Sequence, residues 1–330
     1  MDRAGTLLLN RSDIASLLTL EDCIDAVENA FRAHAEGKSI APGLLHGDAA
    51  DGEFHIKGGG FKEPTPYYAL KANAGFFGNA ERFGLPNIQG LILLYSAENG
   101  SPLAVMDSGG ITVKRTGAAT AVVAKYLARR DSKVVTMCGC GTQGRIQLRS
   151  LLEVLPIERV NAYSVDHEEA SKYAADMSEE LGIPVKYAQN LEPAVKECDV
   201  CVTCTPAKKA FIDQSFVTAG TLVVAVGADS PEKQEIDPRL LAANHVVVDL
   251  LDQCVSVGEL HHAIDAGLMT SADVRAELAD VIAGKAVGRS SDDEIIVFDS
   301  TGTALQDAAA AILVYERALR SGHGTRFAFV

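Results

Sequence analysis

The run VVTMCGCGTQGRIQLRSLL, residues 134–152, decides what the second half of this chain can be. Five residues of strand character lead into Gly139, Gly141 and Gly144, spaced G-x-G-x-x-G, and an amphipathic helical pattern follows at once. Glycines at that spacing let the backbone turn sharply and approach a pyrophosphate, whose charge then rests on the amides that open the helix, here around Thr142 and Gln143. The spacing alone is a weak sign. Its place between a strand and a helix, with Asp166 about twenty residues on in AYSVDHEEA after a second strand, makes it a dinucleotide site. An acid there favours the ribose diol of NAD over a 2′-phosphate, so NAD is the expected cofactor and NADP stays open.

Outward from this loop, strand and helix patterns alternate: RVNAYSVD, EEASKYAADMSEELG, CVTCT, TLVVAVGAD, HVVVDLL and IIVFDS. That order predicts βαβ units, a doubly wound parallel sheet with helices on both faces, in an α/β fold of Rossmann type. The earlier part has another texture. A helical opening, LEDCIDAVENAFRAHAEG, ends on Gly37, and strand-like pieces EFHIKG, YYALKAN and GLILLYS follow, broken by Gly, Pro and Asn. This is an α+β region, to which the last long helix, TALQDAAAAILVYERALRSG, is expected to return. The boundaries expected are 1–118 with 311–330 for the α+β domain and 119–310 for the nucleotide domain.

Composition excludes several function classes. The 330 residues are 47% hydrophobic and 22% charged, as in a globular enzyme of about two domains. A formal charge of -14 with no basic stripe argues against nucleic acid or an anionic membrane as partner. The opening MDRAGTLLLNRSD turns polar too soon for a secretory signal, and no apolar run approaches the roughly 20 residues that span a bilayer, so a cytoplasmic location is expected. Cys198, Cys201 and Cys204 lie close in CDVCVTC, but on a strand Cys201 would face away from the other two. They are expected to be core thiols, and no metal site is expected.

The apolar run in TLVVAVGADSPEKQE stops at Gly227, Ala228 and Asp229. Asp229 thus falls beyond the end of a buried parallel strand, where such sheets bind ligands. A helix cap or turn would also account for an Asp followed by Pro231.

Four stretches, FGLPNIQGLILLYSAENGSPLAVMD, ITVKRTGAATAVVAKYLAR, the glycine loop with GADSPEKQEI, and VFDSTGTALQD, together resemble the ornithine cyclodeaminase/mu-crystallin family across nearly the whole chain. The resemblance implies an α+β substrate-binding domain that pairs two chains into a homodimer, joined to a Rossmann domain. It implies NAD(P)-dependent chemistry at the Cα–N bond of a small L-amino acid, by dehydrogenation or by cyclodeamination. The alternatives are a reductase of a cyclic imine such as pyrroline- or piperideine-2-carboxylate, and a non-catalytic, cofactor-loaded binding protein of crystallin type.

Residue by residue, the resemblance makes Lys71 and Arg115 holders of the substrate carboxylate, with Lys71 also in the catalytic set. It makes Asp229 the acceptor of the amine proton, and Asp299, Ser300 and Thr301 a segment near the nicotinamide end of the cofactor. Capping of the next helix by Ser300 or Thr301 is the competing account. One departure stands out: several relatives carry an Arg in a P-x-R stretch after the first helix, whereas APGLLHGD has Leu44 there. EFHIKGGG places His55 and Lys57 on one face of a strand, where they are expected to face the substrate and take over that contact.

Overall fold

A computed structural model describes residues 5–329. Contacts divide the chain into two units, Met1–Arg115 with Thr303–Val330, and Thr116–Gly302. The strands, in chain order, are β1 (Thr6–Leu9), β2 (Ser39–Ala49), β3 (Gly52–Phe61), β4 (Tyr67–Gly75), β5 (Ile88–Ser96), β6 (Pro102–Asp107), β7 (Val134–Cys138), β8 (Arg159–Tyr163), β9 (Val185–Tyr187), β10 (Val200–Thr203), β11 (Lys208–Ile212), β12 (Leu222–Ala225), β13 (Gln234–Ile236), β14 (His245–Val248), β15 (Ala276–Glu277), β16 (Ile296–Asp299) and β17 (Thr325–Phe327).

The first unit is a seven-stranded sheet in the order β17-β1-β6-β5-β4-β3-β2. Its pairs are antiparallel except β1 with β6. Along β4 burial alternates, with Ala69, Lys71, Asn73 and Gly75 inward, so one face of the sheet is covered. Two helices cover it, Leu20–Ala35 and Ala304–Ser321. The first is capped by Thr19, which accepts from the amide of Asp22, and ends before Gly37 at φ 73°. The second opens with Ala304 beside Gly59, where a β-carbon on the glycine would stand 3.0 Å from that of Ala304. The edge strand β2 carries Pro42 and shifts register between Ile40 and Gly43, as edge strands tolerate.

The second unit has an eight-stranded parallel sheet, β15-β14-β16-β12-β10-β7-β8-β9. VCVT of β10, LVVA of β12 and IVFD of β16 are buried at every position, as expected of strands covered on both faces. The order reverses direction around β7, the switch point where doubly wound sheets take their ligand. The Rossmann-type fold expected from the sequence is therefore present.

Two local expectations need correction. Cys198 precedes β10 and is not part of it, so strand alternation does not apply, and Cys198 and Cys201 lie in the same apolar cluster. The helix after VFDSTG begins at Ala304 with Thr303 in the capping position, so neither Ser300 nor Thr301 caps it. Among the described residues no helix is long and apolar enough to cross a membrane.

Candidate active site

In the first unit, the antiparallel register sets Lys57 of β3 directly opposite Lys71 of β4 and, on its other side, opposite Leu44 of β2. Two like charges facing each other across strands repel, and buried ones need an anion. Lys57 is 4% and Lys71 2% exposed. The anion is Asp307, from the helix Ala304–Ser321, whose Oδ2 lies 2.6 Å from Lys71 Nζ and whose Oδ1 lies 2.9 Å from Arg115 Nε. These pairs are close but poorly aligned, since neither Asp307 oxygen nor Arg115 Nε has a directed hydrogen-bond partner in the protein. Gln306 accepts a better-formed bond from Arg115 Nη1 at 2.9 Å.

The charges act on one another. Burial, then repulsion by Arg115, drives the Lys71 ammonium down to about 7, although Asp307 partly opposes the shift. For Asp307 burial alone would raise the carboxyl, but Arg115, Lys71 and Lys57 outweigh it and hold it below its ordinary value. Three basic side chains thus act together on Asp307. Asn73, also inward on β4, accepts from Ser108 Oγ at 2.6 Å and ties the strand to the helix Ser108–Leu127 that carries Arg115. His55 faces the same side as Lys57, but its Nε2 lies 3.2 Å from Glu53 Oε2 and its ring meets that of His46.

In the second unit the glycine loop fits a pyrophosphate. Gly139 sits at φ 111°, and a β-carbon on Gly144 would come within 2.0 Å of the Gly139 carbonyl oxygen, so both positions demand glycine. The helix Thr142–Leu152 opens at Gly141 with no side chain capping it, and the atom nearest a β-carbon at Gly141 would be Glu169 Oε1 at 3.9 Å. The first amides of that helix, including those of Thr142 and Gln143, have no side-chain cap, as suits an anion-binding helix start.

Asp166 follows β8 as expected, but one of its oxygens caps the helix His167–Leu181, accepting from Glu168 N at 2.9 Å and Glu169 N at 3.1 Å. Glu169, unremarked in the sequence, accepts from Ser164 Oγ at 2.9 Å and brings a second acid beside the loop.

Asp229 lies in the loop between β12 and β13, so it caps no helix; its carboxylate meets Lys233 Nζ at 2.6 Å and is 42% exposed. Behind this loop Glu235 is buried and accepts from Thr203 Oγ1, Thr205 N, Thr205 Oγ1 and Gly227 N at 2.7–2.8 Å. Four donors satisfy it and bind the ends of β10 and β12 together. Burial pushes its carboxyl up despite them.

Asp299 is fully buried and accepts from Leu260 N at 2.9 Å, at the start of the helix Glu259–Asp265. Burial raises its carboxyl to about 7. Ser300 and Thr301 are also buried, and Thr301 donates to Asp249 at 2.8 Å.

Sequence reasoning passed over Asp307, Gln306, Lys233, Glu235 and Glu169. The first two were detectable as the one polar pair inside the apolar run of TALQDAAAAILV.

A sequence model of the ornithine cyclodeaminase/mu-crystallin family matches residues 5–322. Alanine dehydrogenase of Archaeoglobus fulgidus is 40% identical over 331 residues, covering 98% of both chains. Iminosuccinate reductase of Paracoccus denitrificans is 36% identical, covering 96% of this chain and 98% of its own. Among solved structures, an archaeal alanine dehydrogenase dimer with bound NAD superposes with TM-score 0.94 at 40% identity, covering 99% of this chain and all of that one. The Δ1-pyrroline-2-carboxylate reductase of Thermococcus litoralis, in complex with NADH and L-proline, gives TM-score 0.93 at 32% identity, covering 98% and 100%. The chain belongs to the ornithine cyclodeaminase/mu-crystallin family.

Proposed function

We infer that this chain is an NAD(P)-dependent oxidoreductase acting at the Cα–N bond of a small L-amino acid, by dehydrogenation or cyclodeamination. The observation that carries the reading is the cluster of Lys57, Lys71 and Arg115 around Asp307, all buried. Buried basic side chains gathered in one place, with a planar guanidinium among them, suit a small carboxylate.

When bound at the glycine loop of residues 139–144, the nicotinamide cofactor supplies the hydride exchange. The protein's own groups do the rest. Arg115, Lys71 and Lys57 hold the substrate carboxylate, with Lys57 making the contact that Leu44 cannot. Asp229, fixed in direction by Lys233, takes the proton from the amine. Lys71, poised near neutrality, can also carry a proton. Asp299 and Thr301 brace the chain after β16 through Leu260 and Asp249, a positioning role toward the cofactor.

Reduction of an imine is the second reading, favoured by relatives named as iminosuccinate and pyrroline-2-carboxylate reductases, and it runs the same Cα–N chemistry in reverse. The dimeric state of the archaeal relative supports a homodimer here as well. The seven cysteines, none in a disulfide, agree with a cytoplasmic setting.

The test is a screen of L-amino acids with NAD and with NADP, following reduced nicotinamide and released ammonia separately, and of imines with NADH. Ammonia without accumulating NADH marks cyclodeamination, and both together mark a dehydrogenase. Activity on imines alone assigns the reductase. No turnover in any arm, with cofactor still bound, would leave only the binding-protein reading.

A further inference from the structure

We propose that His46, Glu53 and His55, on the β2–β3 hairpin, form a binding site for a divalent metal ion of the zinc class. The sequence offered no metal site, because the histidines and acids of HGDAADGEFH are gathered only by the hairpin register. The hairpin register supplies the site. His46 stands directly opposite His55, and two rungs nearer the turn Asp48 stands directly opposite Glu53. Because side chains two apart share a face, four ligand-type residues occupy one corner of the sheet.

One nitrogen or oxygen from each of His46, Glu53 and His55 lies within 4.8 Å of the others. The imidazole rings meet edge to face, with centroids 4.8 Å apart. Two imidazoles and a carboxylate suit zinc and its late first-row neighbours, and three ligands leave a position open for water or an anion. The fourth residue strengthens the case. Asp48 Oδ1 lies 3.0 Å from His46 Nε2, the carboxylate–histidine arrangement that commonly orients a metal-bound imidazole. The corner is recessed, since the side chains of His55 and Glu53 are only 11% and 14% exposed, while His46 at 26% opens it to solvent. It adjoins the same-face rung that carries Lys57, so a bound ion would lie beside the proposed carboxylate site without using its residues.

The experiment uses the untagged full chain, stripped with a chelator and buffer-exchanged, titrated calorimetrically with zinc chloride and, separately, magnesium chloride. One zinc per chain with magnesium silent is expected, and His46→Ala or Glu53→Gln should weaken zinc binding at least tenfold. Cobalt(II) added to the wild-type chain should give visible d–d bands without the near-ultraviolet charge-transfer band of thiolate ligation, a readout that needs no variant to fold. No saturable zinc binding, equal binding by both variants, or a thiolate band pointing to residues such as the half-buried Cys204 would each overturn the proposal.

Discussion

Lys71 Nζ stands 2.6 Å from Asp307 Oδ2, and neither side chain is more than 3% exposed. The pair joins the middle of a sheet to a helix residue 236 positions further along the sequence, and it contributes to the charge of the proposed carboxylate receptor.

Because burial and Arg115 hold the Lys71 ammonium at about 7, substrate capture should depend on pH. The kcat/KM profile of the free enzyme should fall as pH rises through about 7, as the cation that attracts the carboxylate is lost. In the complex the substrate's own charge favours the ammonium, so the same limb in kcat should move to higher pH. Asp307→Asn removes the group that opposes the downward shift and should move the kcat/KM limb to lower pH. It also leaves buried cations without their counterion, at a cost of about 3–5 kcal/mol in stability. On linkage alone, Lys71 is deprotonated when folded but protonated when unfolded between about 7 and its ordinary value of 10.5. Its contribution to stability therefore improves as pH rises through that window. A kcat/KM profile without this limb would remove Lys71 from substrate binding.

Lys57→Met and Asp229→Asn should fail in different ways. If Lys57 holds the carboxylate equally in ground and transition states, its loss raises KM by roughly tenfold to a hundredfold, for a charge-assisted hydrogen bond of about 1.5–3 kcal/mol, and leaves kcat intact. Loss of the proton acceptor Asp229 depresses kcat by about 10²–10⁴ with binding kept. Steady-state kinetics at several substrate concentrations separate the two, and an unchanged KM in Lys57→Met would reduce the clamp to Lys71 and Arg115.

Asp299 titrates in the opposite sense to an ordinary surface acid. Burial first, and Asp249 beside it, raise its carboxyl to about 7. Between about 4 and 7 the folded chain holds a proton that the unfolded chain releases, so this group's contribution to stability falls as pH rises through that window. Asp299→Asn keeps an acceptor for Leu260 N and removes the charge. Urea unfolding of the cofactor-free chain at pH 5 and pH 8 should show a pH dependence smaller than wild type by about 2–4 kcal/mol. An identical dependence would mean that Asp249 or Glu259 carries the charge instead.

The nucleotide half was legible because its signals are local. A parallel strand buried on both faces is apolar at every position, as in LVVA of β12, and a glycine loop is written in consecutive residues. The first unit hid more. Strand β2 is interrupted by Pro42, Gly43 and Gly47, so its alternation shows only in burial, and with it went the rungs that pair Leu44 with Lys57 and His46 with His55. Asp307 was invisible as a partner because its contacts with Lys71 and Arg115 span 236 and 192 positions, respectively, which no periodicity reports. Lys233, by contrast, lay four residues from Asp229 and could have been paired with it.

Cofactor choice gives the sharpest test of the sequence reading. An acid near the adenosine ribose should make NADH bind tighter than NADPH by about tenfold or more, because a 2′-phosphate would meet an uncompensated carboxylate. The sequence points to Asp166, but that side chain already caps a helix through Glu168 N and Glu169 N. Asp166→Ala should therefore lower stability by about 0.5–2 kcal/mol, the usual cost of a lost N-cap, and change the NADH-to-NADPH ratio little. Glu169 borders the glycine loop and is held by Ser164. Glu169→Gln keeps that hydrogen bond and deletes the charge, so it should improve NADPH binding several-fold while NADH binding changes less. Fluorescence titration of both reduced cofactors against the two variants checks this directly. A collapse of the ratio in Asp166→Ala with Glu169→Gln silent would restore the ribose contact to Asp166 and leave the helix cap as its second duty.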